Sequence, residues 1–338
     1  MNYLNLLNIL LILSLEVASS FSKSCPNNTE CISIYNCTYY EQLYKATRDY
    51  ASIIRCNKRD GTVCCPIEEK PTISEKKCME FAEIENFCPK GGLIRDGIPA
   101  EPHEAPFLVS VQLSNPGEKI YSWECGGTLI DPKFVLTAAH CFERLEDNPK
   151  LEVSVLLGAH YRNDSGERIM ASVRFHPEYN DSNRTFGDIA LLELNRVANI
   201  TKKNIRPACL PKTNGSDTKE FVVAGWGYNI GMTQPNGLLK TTLVQKDIES
   251  CPTERKTDIN KQICAAPPGD YGDVCQGDSG GPLFVGYPYR DDCFFAIMAL
   301  VSRGKVCDAR GSYTIHTRLF YYREWIEKEV WPEETIKP

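Results

Sequence analysis

Residues 277–282 read Gly-Asp-Ser-Gly-Gly-Pro and place a single serine, Ser279, between glycines. Glycines let a backbone turn tightly with its N–H groups pointing inward, which suits an exposed nucleophile that has amide donors beside it. A stretch of this kind is, by itself, usually an ordinary turn. Its interpretation therefore depends on whether the chain also supplies a base and a group that orients the base.

Two other segments supply those groups. Thr-Ala-Ala-His-Cys at 137–141 contains His140 as a candidate base, and Asp188 leads directly into the apolar run Ile-Ala-Leu-Leu at 189–192. Cys125-Gly-Gly, upstream of the histidine, offers a partner for Cys141. The order His, Asp, Ser along the chain is that of a known hydrolytic triad, and the combined pattern is far more specific than any one segment.

On these motifs, and on Gly-Trp-Gly at 225–227, residues 94 to about 330 resemble the chymotrypsin-like serine proteases. The resemblance implies an all-β fold of two antiparallel six-stranded β-barrels with the site in the cleft between them. It also implies that Ser279 attacks the scissile carbonyl, His140 moves the proton and Asp188 orients the imidazole. The N–H groups of Gly277 and Ser279 would hold the oxyanion.

The residue pattern independently favours a β-rich body that ends in one helix. Short β-type runs with turn residues between them predict strands at 107–113, 133–136, 151–157, 168–174, 188–194, 221–224 and 294–301. Near the C-terminus apolar residues recur at roughly helical spacing, namely Phe320, Tyr321, Trp325, Ile326 and Val330. This spacing predicts an amphipathic helix that packs on the body.

The N-terminal part contains a compact group of six cysteines: Cys25, Cys31, Cys37, Cys56, Cys64 and Cys65. About forty residues bury too little apolar surface to fold without disulfides. The spacing, with its adjacent final pair, resembles the clip domain of arthropod clip-domain serine proteases. The Cys-x-x-Phe/Tyr pattern of the linker, Leu93 before the expected activation cut and a cysteine after Gly-Asp-Ser-Gly-Gly-Pro together resemble most closely the Snake branch of that family. We therefore expect a small disulfide-rich clip domain before the barrels.

Six cysteines permit fifteen pairings, and the residues alone do not select one. The resemblance implies Cys25–Cys64, Cys31–Cys56 and Cys37–Cys65 in the clip domain, and Cys125–Cys141, Cys251–Cys264 and Cys275–Cys307 in the protease domain. Cys78, Cys88, Cys209 and Cys293 remain. Relatives usually join the linker to the protease domain through a cysteine like Cys209, so one linker cysteine is expected to pair with it.

Composition predicts a secreted protein. An apolar stretch within residues 1–20 resembles a cleaved signal peptide, and no later stretch predicts a membrane span. Sixteen cysteines and seven N-x-S/T sequons fit an oxidising, extracellular location. The formal net charge of −6 argues against nucleic acid as a partner. The predicted domains are a signal peptide at 1–20, a clip domain at 24–66, a linker or propeptide at 67–93 and a peptidase domain at 94–338.

The residues predicted to line the substrate pocket indicate two different substrate specificities. Asp273, six residues before Ser279, matches the pocket floor of relatives that cleave after Arg or Lys, because a buried carboxylate favours a cationic partner. Ser302 and Gly304 match two further pocket positions. Thr314 stands where such relatives carry glycine, and its branched side chain should narrow the pocket. Cleavage after basic residues is the prediction, and cleavage after small apolar residues is the alternative.

The family also implies activation by a cut that frees an apolar N-terminus. The best candidate is the bond between Leu93 and Ile94, and the new ammonium would pair with Asp278. Because Leu93 precedes the cut, the activator should have chymotrypsin- or elastase-type specificity. The protein should then not readily activate itself.

Together these features predict a serine endopeptidase zymogen of an extracellular cascade, such as immune melanisation, Toll signalling or clotting. Its expected partners are a protein substrate that is itself a precursor, an upstream protease and serpin inhibitors. The loop that starts at Gly158 and Ala159 lacks the usual acidic calcium ligand, so no metal and no other cofactor is expected. A non-catalytic clip-domain cofactor or adhesion protein, and a venom or digestive protease, remain alternatives.

Overall fold

A computed structural model describes most of the chain as two compact units, Met1–Lys70 and Pro71–Pro338. The described residues are 25, 29–34, 37, 54–56, 61–66, 71–82, 98–180, 184–201, 204–228, 233–251, 256–269, 277–286, 295–304 and 312–335. Several predicted positions lie outside these ranges: Leu93, Ile94, Asp273, Cys88, Cys275, Cys293 and Cys307.

The N-terminal unit contains one antiparallel strand pair, β1 (Thr29–Ser33) and β2 (Thr62–Pro66). Its described apolar core is small and centres on Cys37, Val63 and Cys65. The structure joins Cys25 to Cys64, Cys31 to Cys56 and Cys37 to Cys65, the pairings that the clip-domain resemblance implies. Because so little apolar surface is buried, these crosslinks must supply much of the stability.

The first barrel is a closed sheet of six antiparallel strands in the order β4-β5-β6-β9-β8-β7. Its strands are β4 (Leu108–Ser114), β5 (Ser122–Asp131), β6 (Phe134–Thr137), β7 (Glu152–Leu157), β8 (Glu167–Phe175) and β9 (Ala190–Leu194). Inward-facing aliphatic side chains such as Val109, Leu129 and Leu192 are fully buried. Closing the sheet removes exposed strand edges.

The second barrel contains β10 (Glu220–Gly225), β11 (Leu239–Lys246), β12 (Gln262–Ala266), β13 (Pro282–Gly286), β14 (Phe295–Gly304) and β15 (Thr314–Arg318). Pairing of β10 with β11 closes it, and the short strand β3 (Ile98–Pro99) adds to the edge of β11. The predicted fold class is thereby confirmed. Strands β5, β11, β12, β13 and β15 were not predicted: polar residues interrupt the apolar pattern of β5, β11 and β15, and β12 and β13 are only five residues long.

Among the described residues of the second unit there are also four α-helices: α1 (Ile73–Ala82), α2 (Arg144–Asp147), α3 (Leu319–Val330) and α4 (Pro332–Thr335). The predicted C-terminal helix is α3, and it buries Leu319, Tyr322, Ile326 and Val330. Tyr321 was expected in this stripe but is 48% exposed. The buried face of α3 begins one residue earlier than predicted, at Leu319. Helical spacing from Leu319 places Tyr322, rather than Tyr321, on that face.

Helix α1 lies in the segment that was predicted only as a linker. A disulfide ties it to the body through Cys78 and Cys209. Ser74 donates from its backbone N and its Oγ to Glu327 Oε1 of α3, at 3.1 and 2.6 Å. These partners are distant along the chain, so local sequence patterns could not indicate them. Within the described part of the chain, no helix is both long enough and apolar enough to span a bilayer.

Candidate active site

The pairing of two strands of the first barrel brings His140 to Asp188. Strand β6 ends at Thr137, which lies opposite Ala190 at the start of β9. His140 follows β6 in a short 3-10 turn, Ala139–Phe142, and Asp188 lies two residues before the start of β9. Adjacent ends of an antiparallel pair therefore place the predicted base beside the predicted carboxylate.

Asp188 receives three hydrogen bonds on its carboxylate. The backbone N of His140 donates to Oδ1 at 3.0 Å, the Nδ1 of His140 lies 2.8 Å from Oδ2, and the Oγ of Ser302 also donates to Oδ2. Burial alone would raise the pKa of Asp188, but the charge of His140 and these hydrogen bonds outweigh it and lower that pKa. The carboxylate thus stays ionised and fixes the ring with its Nδ1 bearing the proton.

The backbone on either side of this carboxylate is held by the second half of the chain. Thr317 Oγ1 on β15 donates to the carbonyl oxygen of Asp188 at 2.9 Å. The N–H of Gly187 donates to the hydroxyl of Tyr322 on α3 at 2.9 Å, and that hydroxyl donates to Glu178 Oε2 at 3.2 Å. Sequence reasoning missed Thr317 and Tyr322 in this role, because each lies more than a hundred residues from its partner.

The loop that contains Ser279 is tied to both barrels through its backbone. Gly126 N on β5 donates to the carbonyl oxygen of Ser279, and Gly280 N donates to that of Val301 on β14, both at 2.8 Å. The disulfide between Cys125 and Cys141 links the Gly126 strand to the turn of His140. The structure thus brings the segments of all three predicted catalytic residues to one place.

Glycine is required at position 280. Its φ of +74° lies in the left-handed region, and an added Cβ would stand 2.2 Å from Thr137 Oγ1. Any side chain there would push the serine loop away from the first barrel. The sequence signal that singled out this loop therefore has a steric cause in the fold.

Asp278 packs against the Gly225–Gly227 segment. Gly227 N donates to Asp278 Oδ1 at 2.9 Å, and a Cβ added at Gly225 would collide with the same carboxylate. The preceding residue, Gly277, has a φ of +99°, so it too uses the conformational freedom of glycine. The oxyanion role of the Gly277 and Ser279 N–H groups stays a prediction.

Three of the four predicted pocket residues lie on β14 and β15. Ser302 is buried and donates its hydroxyl to Asp188, so it helps to hold the carboxylate that fixes His140, and its place in the pocket wall stays a prediction. Gly304 and Thr314 are partners in the strand register, and Thr314 Cγ2 lies 2.7 Å from where a Cβ of Gly304 would be. Beside them, Arg303 donates to the carbonyl oxygen of Thr185 at 3.1 Å.

In the protease body the structure also joins Cys251 to Cys264, the pairing that the resemblance implies. Of the two linker cysteines, it is Cys78 that pairs with Cys209. The remaining predicted bridge, Cys275–Cys307, and the fourth pocket residue, Asp273, lie outside the described residues. Cys88 and Cys293 do as well.

Comparison with known proteins agrees with this geometry. The trypsin family model matches residues 94–326. The chain is 32% identical to phenoloxidase-activating factor 3 of Holotrichia diomphalia, with 95% of this chain and 98% of that protein covered. It is 29% identical to serine protease snk of Drosophila melanogaster, covering 88% and 75%. It is 30% identical to the Spaetzle-processing enzyme of the same organism, covering 93% and 92%.

The structure has two antiparallel barrels, a histidine held by a buried aspartate, and a glycine-flanked serine loop bonded to both barrels. The sequence similarity to these relatives extends over nearly the whole chain. The relatives extend across the N-terminal unit as well as the protease body. The chain belongs to the trypsin family and is a trypsin-like serine endopeptidase of the arthropod clip-domain type.

Proposed function

We propose that this endopeptidase is secreted as a precursor, acts in an extracellular proteolytic cascade, and cleaves protein substrates after Lys or Arg. The observation that supports it best is the saturated Asp188 carboxylate, which holds His140 beside the loop of Ser279. The names of two relatives, phenoloxidase-activating factor and Spaetzle-processing enzyme, describe proteases that act on other proteins. A similar role suits this chain, which aligns with both over more than nine tenths of its length.

In the proposed mechanism, Ser279 Oγ attacks the scissile carbonyl while His140 takes its proton. Asp188 stabilises the imidazolium that forms, since its ionised carboxylate lies 2.8 Å from Nδ1. The oxyanion is held by the N–H groups of Gly277 and Ser279. His140 then protonates the leaving amine, and a water molecule repeats the sequence on the acyl-enzyme.

Activation requires a cut between Leu93 and Ile94 by a protease of chymotrypsin- or elastase-type specificity. The new ammonium of Ile94 pairs with Asp278, which orders the loop of Gly277 and Ser279 from behind. The packing of the Asp278 carboxylate on Gly225 and Gly227 supports this step. Because Asp278 directly precedes Ser279, a reorientation of that carboxylate would also move the serine loop. A buried ion pair acts as a switch because an unpaired buried charge is costly.

Specificity for a basic side chain rests on Asp273. Thr314 favours the alternative, cleavage after small apolar residues, because its methyl group lies beside Gly304, at positions predicted to line the pocket, where relatives that cleave after Arg or Lys carry glycine. A cation in the pocket would still gain a charge-assisted interaction with an aspartate that an apolar side chain could not.

Secretion follows from the signal-like residues 1–20, the disulfides and the sequons. Asn163, Asn180, Asn199 and Asn214 are exposed in the structure, as glycan acceptors must be. The proposed domains are a signal peptide at 1–20, a clip domain at 24–66, a linker at 67–93 and a peptidase domain at 94–338. The upstream activator and serpin inhibitors are proposed partners.

The test begins with the full precursor, purified and treated with a chymotrypsin-type protease. N-terminal sequencing should find Ile94 as the new terminus, and incubation of the precursor alone should leave it intact. After removal of the activator, peptides with Lys, Arg, Leu, Phe or Ala before the scissile bond are compared, with Ser279→Ala as the blank.

Turnover confined to Lys and Arg, and absent in Ser279→Ala, is the expected result. Turnover confined to Ala would contradict the proposed specificity and give Thr314 the decisive role. Conversion of the precursor without an added protease would contradict the proposed activation step.

A further inference from the structure

A buried imidazole, His316, stands inside the second barrel and has no part in the mechanism above. It lies in the middle of β15 and is 0% exposed. Its partners across the neighbouring strands are Ile263 on β12 and Val301 on β14, which both belong to the apolar core. A polar ring in such surroundings costs free energy unless its nitrogens are hydrogen-bonded.

Hydrogen bonds fix which nitrogen carries the proton. His316 Nε2 lies 2.7 Å from Thr314 Oγ1, and the same hydroxyl donates to the carbonyl oxygen of Ala265 at 3.4 Å. A hydroxyl has only one hydrogen, so the assignment that uses both contacts directs it to Ala265 and has Thr314 Oγ1 accept from an N–H at Nε2. Nδ1 is then the unprotonated, accepting nitrogen. Burial lowers the pKa of His316 to about 3, so the ring remains a neutral acceptor at physiological pH.

Among the residues that the structure describes, that accepting nitrogen has no hydrogen-bond partner, although it is shielded from solvent. Buried unsatisfied acceptors are rare, and each calls for an explanation. For packing alone, an apolar ring such as phenylalanine would fill the same space without leaving an unpaired nitrogen. Since no described donor within the protein uses His316 Nδ1, this atom is available to a hydrogen-bond donor on a ligand.

The position of His316 relates it to the reacting groups. Its register partner Val301 accepts the hydrogen bond from Gly280, the residue after Ser279. His316 therefore lies one strand behind the serine loop. Its hydrogen-bond partner Thr314 lies across from Gly304, on the wall predicted to line the substrate pocket.

We infer that His316 determines specificity: its Nδ1 accepts a hydrogen bond from the ammonium group of a lysine side chain that precedes the scissile bond. This inference rests on the proposed cleavage after basic residues. Lysine is favoured over arginine for two reasons. A single acceptor atom suits a compact ammonium better than a planar guanidinium with five donors. The methyl group of Thr314, against Gly304, also narrows the approach.

The test compares the activated enzyme with the variants His316→Phe and Thr314→Val. The peptides differ only before the scissile bond, where they carry Lys, Arg or norleucine, which resembles Lys without its ammonium. Wild type should show a higher kcat/KM for Lys than for Arg. His316→Phe should lower kcat/KM for Lys by about tenfold to a hundredfold, as expected for a hydrogen bond to a charged group. Its kcat/KM for norleucine should change less than twofold.

Thr314→Val keeps the side-chain shape but removes the hydroxyl that fixes the tautomer of His316. It should lower the Lys-to-norleucine ratio in the same direction by a smaller factor. Equal losses for Lys and norleucine in His316→Phe would show a merely structural role and overturn the inference. If His316→Phe does not fold, an unchanged ratio in Thr314→Val overturns it. Wild type that cleaves only after small apolar residues would instead refute the proposed specificity.

Discussion

Asp188 and His316 are two ionisable groups that are buried to a similar extent but differ in how their hydrogen-bonding capacity is used. Asp188 lies where the two barrels meet and accepts hydrogen bonds from His140 and Ser302, while Thr317 holds its backbone. His316 lies inside one barrel and has one nitrogen bonded to Thr314, whereas the other has no partner within the described part of the chain.

The difference separates two uses of a buried polar group. A saturated group is rigid and preorganised, so it serves as part of the catalytic machinery before substrate arrives. An unsaturated group is a cost to the empty enzyme that a ligand with the right donor can remove. The Asp188 region is therefore expected to set the rate, and the His316 region the choice of substrate.

The largest expected effect comes from Asp188→Asn. The amide keeps the shape of the carboxylate but supports the wrong imidazole tautomer, so kcat should fall by about 10⁴, the magnitude seen for this change in the family's template enzyme. KM should change little. Steady-state kinetics of the activated variant would test this, with the exposed residue change Asp147→Asn as a control that keeps full activity.

If Asp188→Asn retained more than a tenth of the wild-type kcat, the orienting role of Asp188 would be wrong. If kcat/KM for Lys and Arg peptides fell by the same factor in Asp188→Asn, this result would support the view that Asp188 affects the rate of the reaction and not the choice of substrate.

A smaller effect is expected from Ser302→Ala, which removes one donor from the Asp188 carboxylate. A hydrogen bond to a charged group contributes about 1.5–3 kcal/mol, so kcat should fall by about tenfold to a hundredfold. The pKa of Asp188 should rise towards its ordinary value, since Ser302 is one of the groups that lower it. With one donor fewer, the carboxylate should attract the protonated imidazole of His140 more strongly, so activity, which needs neutral His140, should be lost at a higher pH on the acid side.

The pH–rate profile of Ser302→Ala measures that shift. Ser172→Ala on β8 is the matched control because Ser172 is exposed. An acid limb at the same pH in both variants would show that Ser302 does not stabilise the charge of Asp188.

The smallest effect concerns the pH dependence of stability that His316 causes. Burial lowers the pKa of His316 from 6.5 to about 3, so between these values the unfolded chain binds a proton that the folded chain does not. Stability should therefore fall as pH decreases through this window, by about 1.4 kcal/mol per unit from this group. His316→Phe lacks the group and should lose less stability on acidification.

Urea unfolding of both proteins at pH 7 and pH 4.5, in the inactive Ser279→Ala background and with disulfides intact, measures the difference. The same acid-induced loss in both would mean that His316 is protonated in the folded state and does not remain a neutral acceptor.

The sequence by itself predicted a β-rich body, the helix at the C-terminus and the segments of His140, Asp188 and Ser279, whereas the arrangement as two six-stranded barrels was what the family resemblance implied. It could do so because these depend on local patterns: alternating apolar runs, helical spacing, and glycines around a serine loop where Gly280 admits no side chain. The sequence did not identify which tyrosine of α3 is buried. Tyr321 and Tyr322 are both aromatic, and only the packing of the helix on the body distinguishes the exposed Tyr321 from the buried Tyr322.

Only the tertiary structure decided which distant groups complete the site. Ser302, Thr317 and Tyr322 reach the Asp188 segment because β14, β15 and α3 come together there, more than a hundred residues along the chain. The docking of α1 on α3 and the unpaired nitrogen of His316 arise in the same way. Hydrogen bonds act over about 3 Å, so they depend on proximity in space that chain order does not reveal.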